Sequence, residues 1–253
     1  MNWRHPGRTG AGLYALAAAV VGTLIGLFSR LQVARQGGRR ALARQLPAGP
    51  VIVISNHASY ADGVLLVLAC RRMGRSLRML ATSGVFKAPL LGALVRRLGF
   101  IPVKRGTAEA ADSLAPAVEA LRAGEAVGVF PEGRLTRDDG FWPERAKTGA
   151  VRLALASGAP IVPVAMDGSQ RVIGRKRLLL GLVANLIRRP QVHVRVGEPI
   201  DVRRLMNIGS ATQPTSDEIR LATDQVMARL VTLVGALRGT PSPHPEGAPR
   251  SAD

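Results

Sequence analysis

Near the start of the chain lie 21 residues without a charge, 9–29, reading TGAGLYALAAAVVGTLIGLFS. Drawn as a helix this stretch is about 31 Å long, close to the thickness of a bilayer's hydrocarbon core. Beyond it the apolar positions change their period. Residues 51–55, VIVIS, form a short β-branched run that predicts a buried strand. Residues 61–73 predict a helix with Asp62 in its first turn, and 78–82 a short strand. A helix is expected over 89–98, ended by Gly99, and a strand over 100–103. Within 107–123, Leu114, Val118 and Leu121 recur on one helical face and Gly124 closes it. Strands at 126–130 and 161–166 bracket a helix over 147–157, which Gly158 ends. Pro163 within the later strand predicts an edge or an irregular position. Residues 191–196, QVHVRV, alternate as a strand with one polar face, and 216–238 form a long amphipathic helix.

Strands alternating with helices predict an α/β fold: a mostly parallel mixed sheet flanked by helices, preceded by an apolar membrane helix. The division expected is a membrane-associating helix and basic link over 1–45, a folded domain over 46–238, and a Pro-rich disordered tail over 239–253. No internal repeat is present.

Charge alters this picture. The 253 residues hold 35 Lys and Arg against 17 Asp and Glu, a net charge of +18, while 47% are apolar, which excludes disorder for most of the chain. Residues 1–108 contain 16 of the cations and one acid, Asp62; residues 168–197 contain seven and no acid. Arg4 and Arg8 precede the apolar run, and Arg30, Arg35, Arg39, Arg40 and Arg44 follow it, so the bulk of the protein is expected on the cytoplasmic face of the cell membrane. A secretory signal peptide is disfavoured by the length of the run and by the basic residues after it. A single span, a re-entrant hairpin, a helix in the interface and a buried soluble helix all fit the run itself. A second apolar run, 178–187, lies between cations Arg175, Lys176, Arg177 and Arg188, Arg189. It is too short to span and suits either an anionic interface or a core helix with solvated ends.

One Cys and four scattered His leave no disulfide framework and no metal cluster, and no cofactor is implied. There is no G-x-S-x-G, Walker A or H-E-x-x-H motif. Four blocks carry the candidate chemistry. Asn56-His57-Ala58-Ser59-Tyr60-Ala61-Asp62 follows the first predicted strand, where ligand sites of open α/β sheets lie. A histidine there suits a general base near neutral pH, and a carboxylate on its second ring nitrogen would hold its tautomer. That pairing needs His57 on the loop and Asp62 in the first helical turn; taken singly, a structural loop histidine and a helix-start carboxylate also account for them. Gly99 to Gly106 joins a strand end to the cations Lys104 and Arg105, either a solvated pair or a fork for phosphate. Phe130-Pro131-Glu132-Gly133-Arg134-Leu135-Thr136-Arg137 runs from a strand into a turn whose Glu132 suits binding a hydroxyl, holding an arginine, or an ordinary turn acid. Ile161-Val162-Pro163-Val164-Ala165 is the fourth.

In this order and spacing the blocks resemble the glycerolipid acyltransferase family, best known for lysophosphatidic acid acyltransferases, over residues 50–168 and more weakly to 199. The family pattern is Asn-His-x-x-x-x-Asp, a Gly…Phe-Ile-x-x-Arg-like block, Phe-Pro-Glu-Gly-Thr-Arg-Ser and a Val-Pro strand. The resemblance implies that His57 is the general base and Asp62 its orienting partner, with Asn56, Glu132 and Gly133 in the substrate site and Arg105 on a phosphate. One departure stands out: the family's arginine falls one place early here, as Arg134, and Leu135 takes its usual position. Arg134 or Arg137 then takes its role. Lys147, ahead of Thr148 and Gly149, suits phosphate or donor binding, or a plain helix start.

The implied reaction moves an acyl group from acyl-CoA or acyl carrier protein to a phosphorylated glycerolipid acceptor, lysophosphatidate foremost, at an anionic membrane. Glycerol phosphate, another lysophospholipid and a glycolipid are alternative acceptors. A non-enzymatic basic protein of membrane surfaces or nucleic acids is the alternative of a different class. Nucleic acid is not the expected partner, because aromatics are only 4% and the cations alternate with Leu, Val and Ala.

Overall fold

The computed structural model describes residues 5–34, 45–103, 114–173, 184–209 and 211–241. Its strands are β1 (Arg30–Val33), β2 (Val51–Ser55), β3 (Leu77–Thr82), β4 (Ile101–Val103), β5 (Ala126–Val129), β6 (Ile161–Asp167) and β7 (Gln191–Val196). They form a seven-stranded sheet ordered β1-β7-β6-β2-β5-β3-β4, in which β6 and β7 pair antiparallel and the other neighbours pair parallel. The helices are α1 (Gly7–Phe28), α2 (Asp62–Arg72), α3 (Ser83–Lys87), α4 (Leu91–Arg97), α5 (Ala115–Arg122), α6 (Gly149–Ser157), α7 (Ser169–Val172), α8 (Val202–Leu205) and α9 (Ser216–Arg238). The sequence's α/β reading, a mostly parallel mixed sheet flanked by helices, describes this architecture.

The sheet is covered on both faces, which explains why β2 reads as an unbroken apolar run. Successive side chains point to opposite faces. Val51 and Val53 join a core with Leu65, Leu66 and Ala69 of α2, whereas Ile52 and Ile54 join a second core with Val151 and Leu153 of α6 and Met227 and Leu230 of α9. Gly128 makes room in the centre: a Cβ there would lie 2.4 Å from Met79 Sδ and 2.8 Å from Leu77 Cδ2 on neighbouring β3.

The end strands are β1 and β4, so Pro163 on β6 is not at an edge; its position is irregular instead. Val164 pairs with Val196 and Ile161 bridges Ile200, so two residues of β6 face three of the following segment. Such an extra residue is a bulge, where a proline's missing N–H leaves no gap in a ladder. Pro102 meets the same constraint by lying on edge strand β4.

α1 is one continuous helix, and its segment Thr9–Phe28 is long and apolar enough to cross a membrane, with a mean hydropathy of 2.0. It packs along the domain. Tyr14, only 2% exposed, donates its hydroxyl to Leu77 O and accepts from Leu77 N, both at 2.9 Å. Ile25 packs against the α2 core, and Ser29 leads directly into β1. The sheet therefore includes a strand that precedes the boundary drawn at residue 45 from sequence, and β1 itself was not expected.

Of the helix expected over 107–123, the described part is α5; the remainder, with Lys104 and Arg105, lies outside the described residues. So does most of the second apolar run. Its described end, 184–187, is helical and leaves Leu186 and Ile187 exposed, as both expectations for this run allow. The tail from 242 onward is also outside the described residues.

Tyr14 ties α1 to the first residue of β3 through two buried hydrogen bonds. Tyr14→Phe is expected to destabilise the protein by about 1–3 kcal/mol, because the buried Leu77 N–H loses its acceptor. Chemical denaturation of both proteins measures the difference.

Candidate active site

Strands β2, β5 and β6 are adjacent and parallel, so their C-terminal ends lie together, as ligand sites of α/β sheets do. The segment after β2 carries Asn56 and His57, the segment after β5 carries Phe130 to Arg137, and β6 ends at Asp167. His57 and Asp62 meet as their spacing requires. His57 is on the loop, Asp62 is the first residue of α2, and Nδ1 of the ring lies 3.0 Å from Asp62 Oδ2.

Asp62 is buried, and the same Oδ2 accepts the backbone N–H of Ala58 at 2.6 Å and of Ser59 at 2.7 Å. A carboxylate oxygen in that role takes the proton-bearing ring nitrogen, so Nδ1 carries the hydrogen and Nε2 presents its lone pair. The His57 side chain is 18% exposed, and no described protein group bonds to Nε2. Its ring stacks on Phe130 with centroids 4.0 Å apart and planes 11° from parallel. The backbone is held on both sides: His57 N donates to Glu132 Oε1 at 3.1 Å, and His57 O accepts from Thr136 N at 2.7 Å. The imidazole has one ring edge anchored, one face covered and one nitrogen facing outward, which is the arrangement of an oriented general base.

The turn after β5 is a hydrogen-bonded hub. Glu132 is buried and accepts from His57 N and, through Oε2, from Glu144 N at 3.1 Å. Burial pushes its carboxyl up to about 8, against these two donors, and the nearby Glu144 and Asp62 carboxylates push the same way. Gly133 has φ +73°, a left-handed conformation that suits glycine, and the Lys147 side chain lies over it. Glu144, also buried, receives Arg137 N at 2.8 Å and pairs with the Arg134 guanidinium at 3.2 Å. Thr136 Oγ1 donates to Trp142 O at 2.7 Å. Arg238, the last residue of α9, stacks over Trp142 at 4.8 Å, donates to Gly140 O and Phe141 O, and pairs with Asp167 at 2.8 Å. That arginine fastens the far side of the loop to the end of β6.

Several residues placed in the substrate set by resemblance are engaged within the protein. The Asn56 amide is buried and exchanges two 2.9 Å hydrogen bonds with Met166, tying the His57 loop to β6. The Glu132 carboxylate holds the loop, and Arg134 pairs with Glu144. Arg137 and Lys147 are exposed at the rim, and Arg105 lies outside the described residues. Sequence reasoning gave no role to Phe130, Thr136, Glu144 or Arg238. Phe130 stood in a quoted block, and an aromatic at a strand end in a chain with five Phe was an available signal. Glu144 and Arg238 carried none, since their partners are set by loop closure and by the docking of α9.

A family model described as Acyltransferase matches residues 38–167, a span that holds both His57 and Glu132. The chloroplastic 1-acyl-sn-glycerol-3-phosphate acyltransferases BAT2 of Brassica napus and LPAT1 of Arabidopsis thaliana are 30% and 29% identical to this chain over 125 residues. Each match covers 49% of this chain but only 35% and 33% of those proteins. A 1-acyl-sn-glycerol-3-phosphate acyltransferase of Bacillus subtilis is 24% identical over 204 residues, 80% of this chain and 91% of its own. Among solved structures, the 1-acyl-sn-glycerophosphate (LPA) acyltransferase PlsC from Thermotoga maritima has a similar fold, with TM-score 0.55 at 21% identity, covering 89% of this chain and 81% of that one.

The raised Glu132 carboxyl keeps its proton in the folded protein where an unfolded carboxyl has lost it. Its contribution to stability is therefore greatest below the ordinary carboxyl range and is lost as pH rises toward about 8. Glu132→Gln is expected to remove that part of the decline between about pH 5 and 8. It also costs about 1–3 kcal/mol, because the amide NH2 faces a backbone donor. Thermal melts of both proteins across this range test it.

Proposed function

The chain belongs to the acyltransferase family, and from that premise we propose that it transfers a fatty acyl group from acyl-CoA or acyl carrier protein to the free hydroxyl of lysophosphatidate, forming phosphatidate for phospholipid biosynthesis. The observation that carries the reading is the His57 ring, held through Nδ1 by Asp62 with Nε2 outward at the ends of three strands. Nε2 takes the acceptor's hydroxyl proton as the oxygen attacks the thioester carbonyl. The C–S bond breaks, the new ester C–O bond remains, and the proton passes from His57 to the leaving thiolate. No acyl-enzyme is required, since a positioned base and a bound acceptor suffice.

The acceptor's phosphate would rest on Arg137 and Lys147, exposed cations on the loop that holds His57. Arg134 is the weaker choice because Glu144 already neutralises it. Arg105 remains in this set on family resemblance. Relatives named for 1-acyl-sn-glycerol-3-phosphate support this acceptor over glycerol phosphate, other lysophospholipids and glycolipids. Tyr60, 66% exposed between His57 and Asp62, and Val64 give the site an apolar margin suited to a lipid.

The enzyme would work on the cytoplasmic face of the cell membrane with α1 lying in the interface. Leu16, Val20, Leu24 and Leu27 recur on one face of α1 and are each at least half exposed, while Tyr14 and Ile25 hold the other side to the domain. An apolar stripe on a helix docked along its length suits a surface-bound protein better than a spanning one.

His57→Ala is expected to lower acyl transfer by at least ~10²-fold without loss of folding. Labelled acyl-CoA with purified protein and a panel of lysophosphatidate, glycerol phosphate and neutral lysolipids reads both activity and acceptor; retained turnover overturns the assignment. Arg137→Ala with Lys147→Ala is expected to raise KM for the phosphorylated acceptor by roughly tenfold, with a smaller effect on kcat. Equal losses with neutral lysolipids would remove the phosphate role.

A further inference from the structure

The short helical turn 184–188 lies at the same end of the sheet as His57. Strand β7 runs antiparallel to β6 with His193 opposite Asp167, the last residue of β6. Gln191, where β7 begins, is therefore two residues further out, about 7 Å beyond the end of β6. Strand β1 runs parallel to β7 with Arg30 opposite Gln191, which brings the C-terminal end of α1 to the same place. The two segments are joined there. Arg30 N donates to Pro190 O at 2.9 Å, and the Arg189 guanidinium donates to Gly26 O.

This turn is held by its polar residue, not by its apolar ones. Asn185 is buried and donates through Nδ2 to Arg171 O at 2.8 Å and to Val172 O at 3.0 Å. Leu186 and Ile187, the next two residues, are 50% and 90% exposed. Arg189 then redirects the chain toward β7 at φ +41°, a sign of φ that costs free energy in a residue other than glycine. On the neighbouring segment, Ile173 O accepts from Ser59 Oγ at 2.7 Å, so the turn is braced indirectly to the loop of His57. Leu24 and Leu27 lie within two residues of Gly26 and are each half exposed. Four large apolar side chains thus stand outward from two segments that touch.

The surroundings say what this edge meets. Arg30, Arg171, Arg188 and Arg189 are exposed about it, and residues 168–197 hold no acid. Apolar side chains bordered by guanidinium groups suit an anionic bilayer, the former among the acyl chains and the latter among the phosphates. A second copy docked here by two-fold symmetry would bring like charges together, which disfavours it.

We propose that Leu186 and Ile187, with Leu24 and Leu27, form one edge that inserts into an anionic bilayer and turns the His57 end of the sheet toward its surface. The inference rests on the membrane-surface reading of α1 and adds to it a second segment and an orientation.

The single cysteine, Cys70, is buried, so an introduced cysteine is labelled alone. Ile187→Cys, Leu16→Cys and Leu221→Cys, each in the full chain, carry a polarity-sensitive fluorophore. Leu221 is an exposed control on α9, across the sheet from α1. With vesicles of phosphatidylcholine and phosphatidylglycerol, the probes at 187 and 16 should shift to the blue and be quenched by lipid spin-labelled on its acyl chain. The probe at 221 should stay in water. A probe in water at 187 but inserted at 16 would overturn this proposal and leave the α1 reading standing; water at both would overturn both. Equal insertion at 221 would remove the orientation. Leu186→Ser with Ile187→Ser should lower vesicle partitioning at least roughly tenfold, since burying one such side chain is worth that much. Thermal melts confirm that the variant folds, and transfer to a detergent-dispersed acceptor should be unchanged. Undiminished partitioning, or a dimer in solution that the double variant dissolves without loss of partitioning, would overturn the proposal.

Discussion

A single buried oxygen, Asp62 Oδ2, organises the site. It accepts from His57 Nδ1, Ala58 N and Ser59 N, so the loop after β2 folds back on the first residue of α2. Two of these donors are main chain, and they position the carboxylate whether or not the imidazole is engaged. The start of a helix favours a carboxylate electrostatically, so the same residue suits the helix terminus and holds the imidazole. The other ties act on this loop from outside. Asn56 fastens it to Met166, and Glu132 and Thr136 take the two backbone groups of His57. The ring is left with one degree of freedom that matters for chemistry, the proton on Nε2.

Acids are scarce in this protein, and where they are buried is informative. Among the described residues the buried carboxylates are Asp62, Glu132 and Glu144, and all three are in the site. Asp62 Oδ2 and both oxygens of Glu132 accept from neutral donors, Asp62 Oδ1 has no partner among the described residues, and of the three only Glu144 meets an arginine. Buried carboxylates without a cation lose solvation that hydrogen bonds only partly replace, hence the raised Glu132 carboxyl. What this arrangement secures is geometry: Glu132 spans two loops, and Arg238 clamps the second to β6 from the far side. Arg137 and Lys147 join this loop through their backbone, and their side chains are exposed.

The apolar helix belongs to the same argument. Tyr14 joins α1 to β3, and the chain continues from α1 into strand β1 of the sheet. A helix held in this way presents its exposed leucines in a fixed relation to the domain. A lipid acceptor of the kind proposed would be sparingly soluble, and with Tyr60 and Val64 exposed beside His57 it would profit from a fixed approach to the bilayer.

The sequence by itself determined the elements and the chemistry that is local. Periodicity gave β2, α2, β5, β6, β7 and α9 within a residue or so, because each is long or apolar enough for burial to enforce its pattern. The His57–Asp62 pair was legible because both residues are on one loop-helix junction, where five residues of spacing suffice. Charge scarcity singled out Asp62 before any contact was known. Tertiary structure alone decided which residues surround the pair. The stack of Phe130 on His57 follows from β5 lying beside β2, and Glu132 turns inward because two distant backbone N–H groups converge on it. Asn56 looked like a substrate ligand and is a brace, and Arg134 is held by a carboxylate ten residues on. Strand β1 was hidden within a basic link, because an alternation of only four residues at a sheet edge is too short to stand out from the cations around it. A side chain's type shows what it can bond. Which partner it finds depends on strand order and loop closure, which bring together groups tens of residues apart.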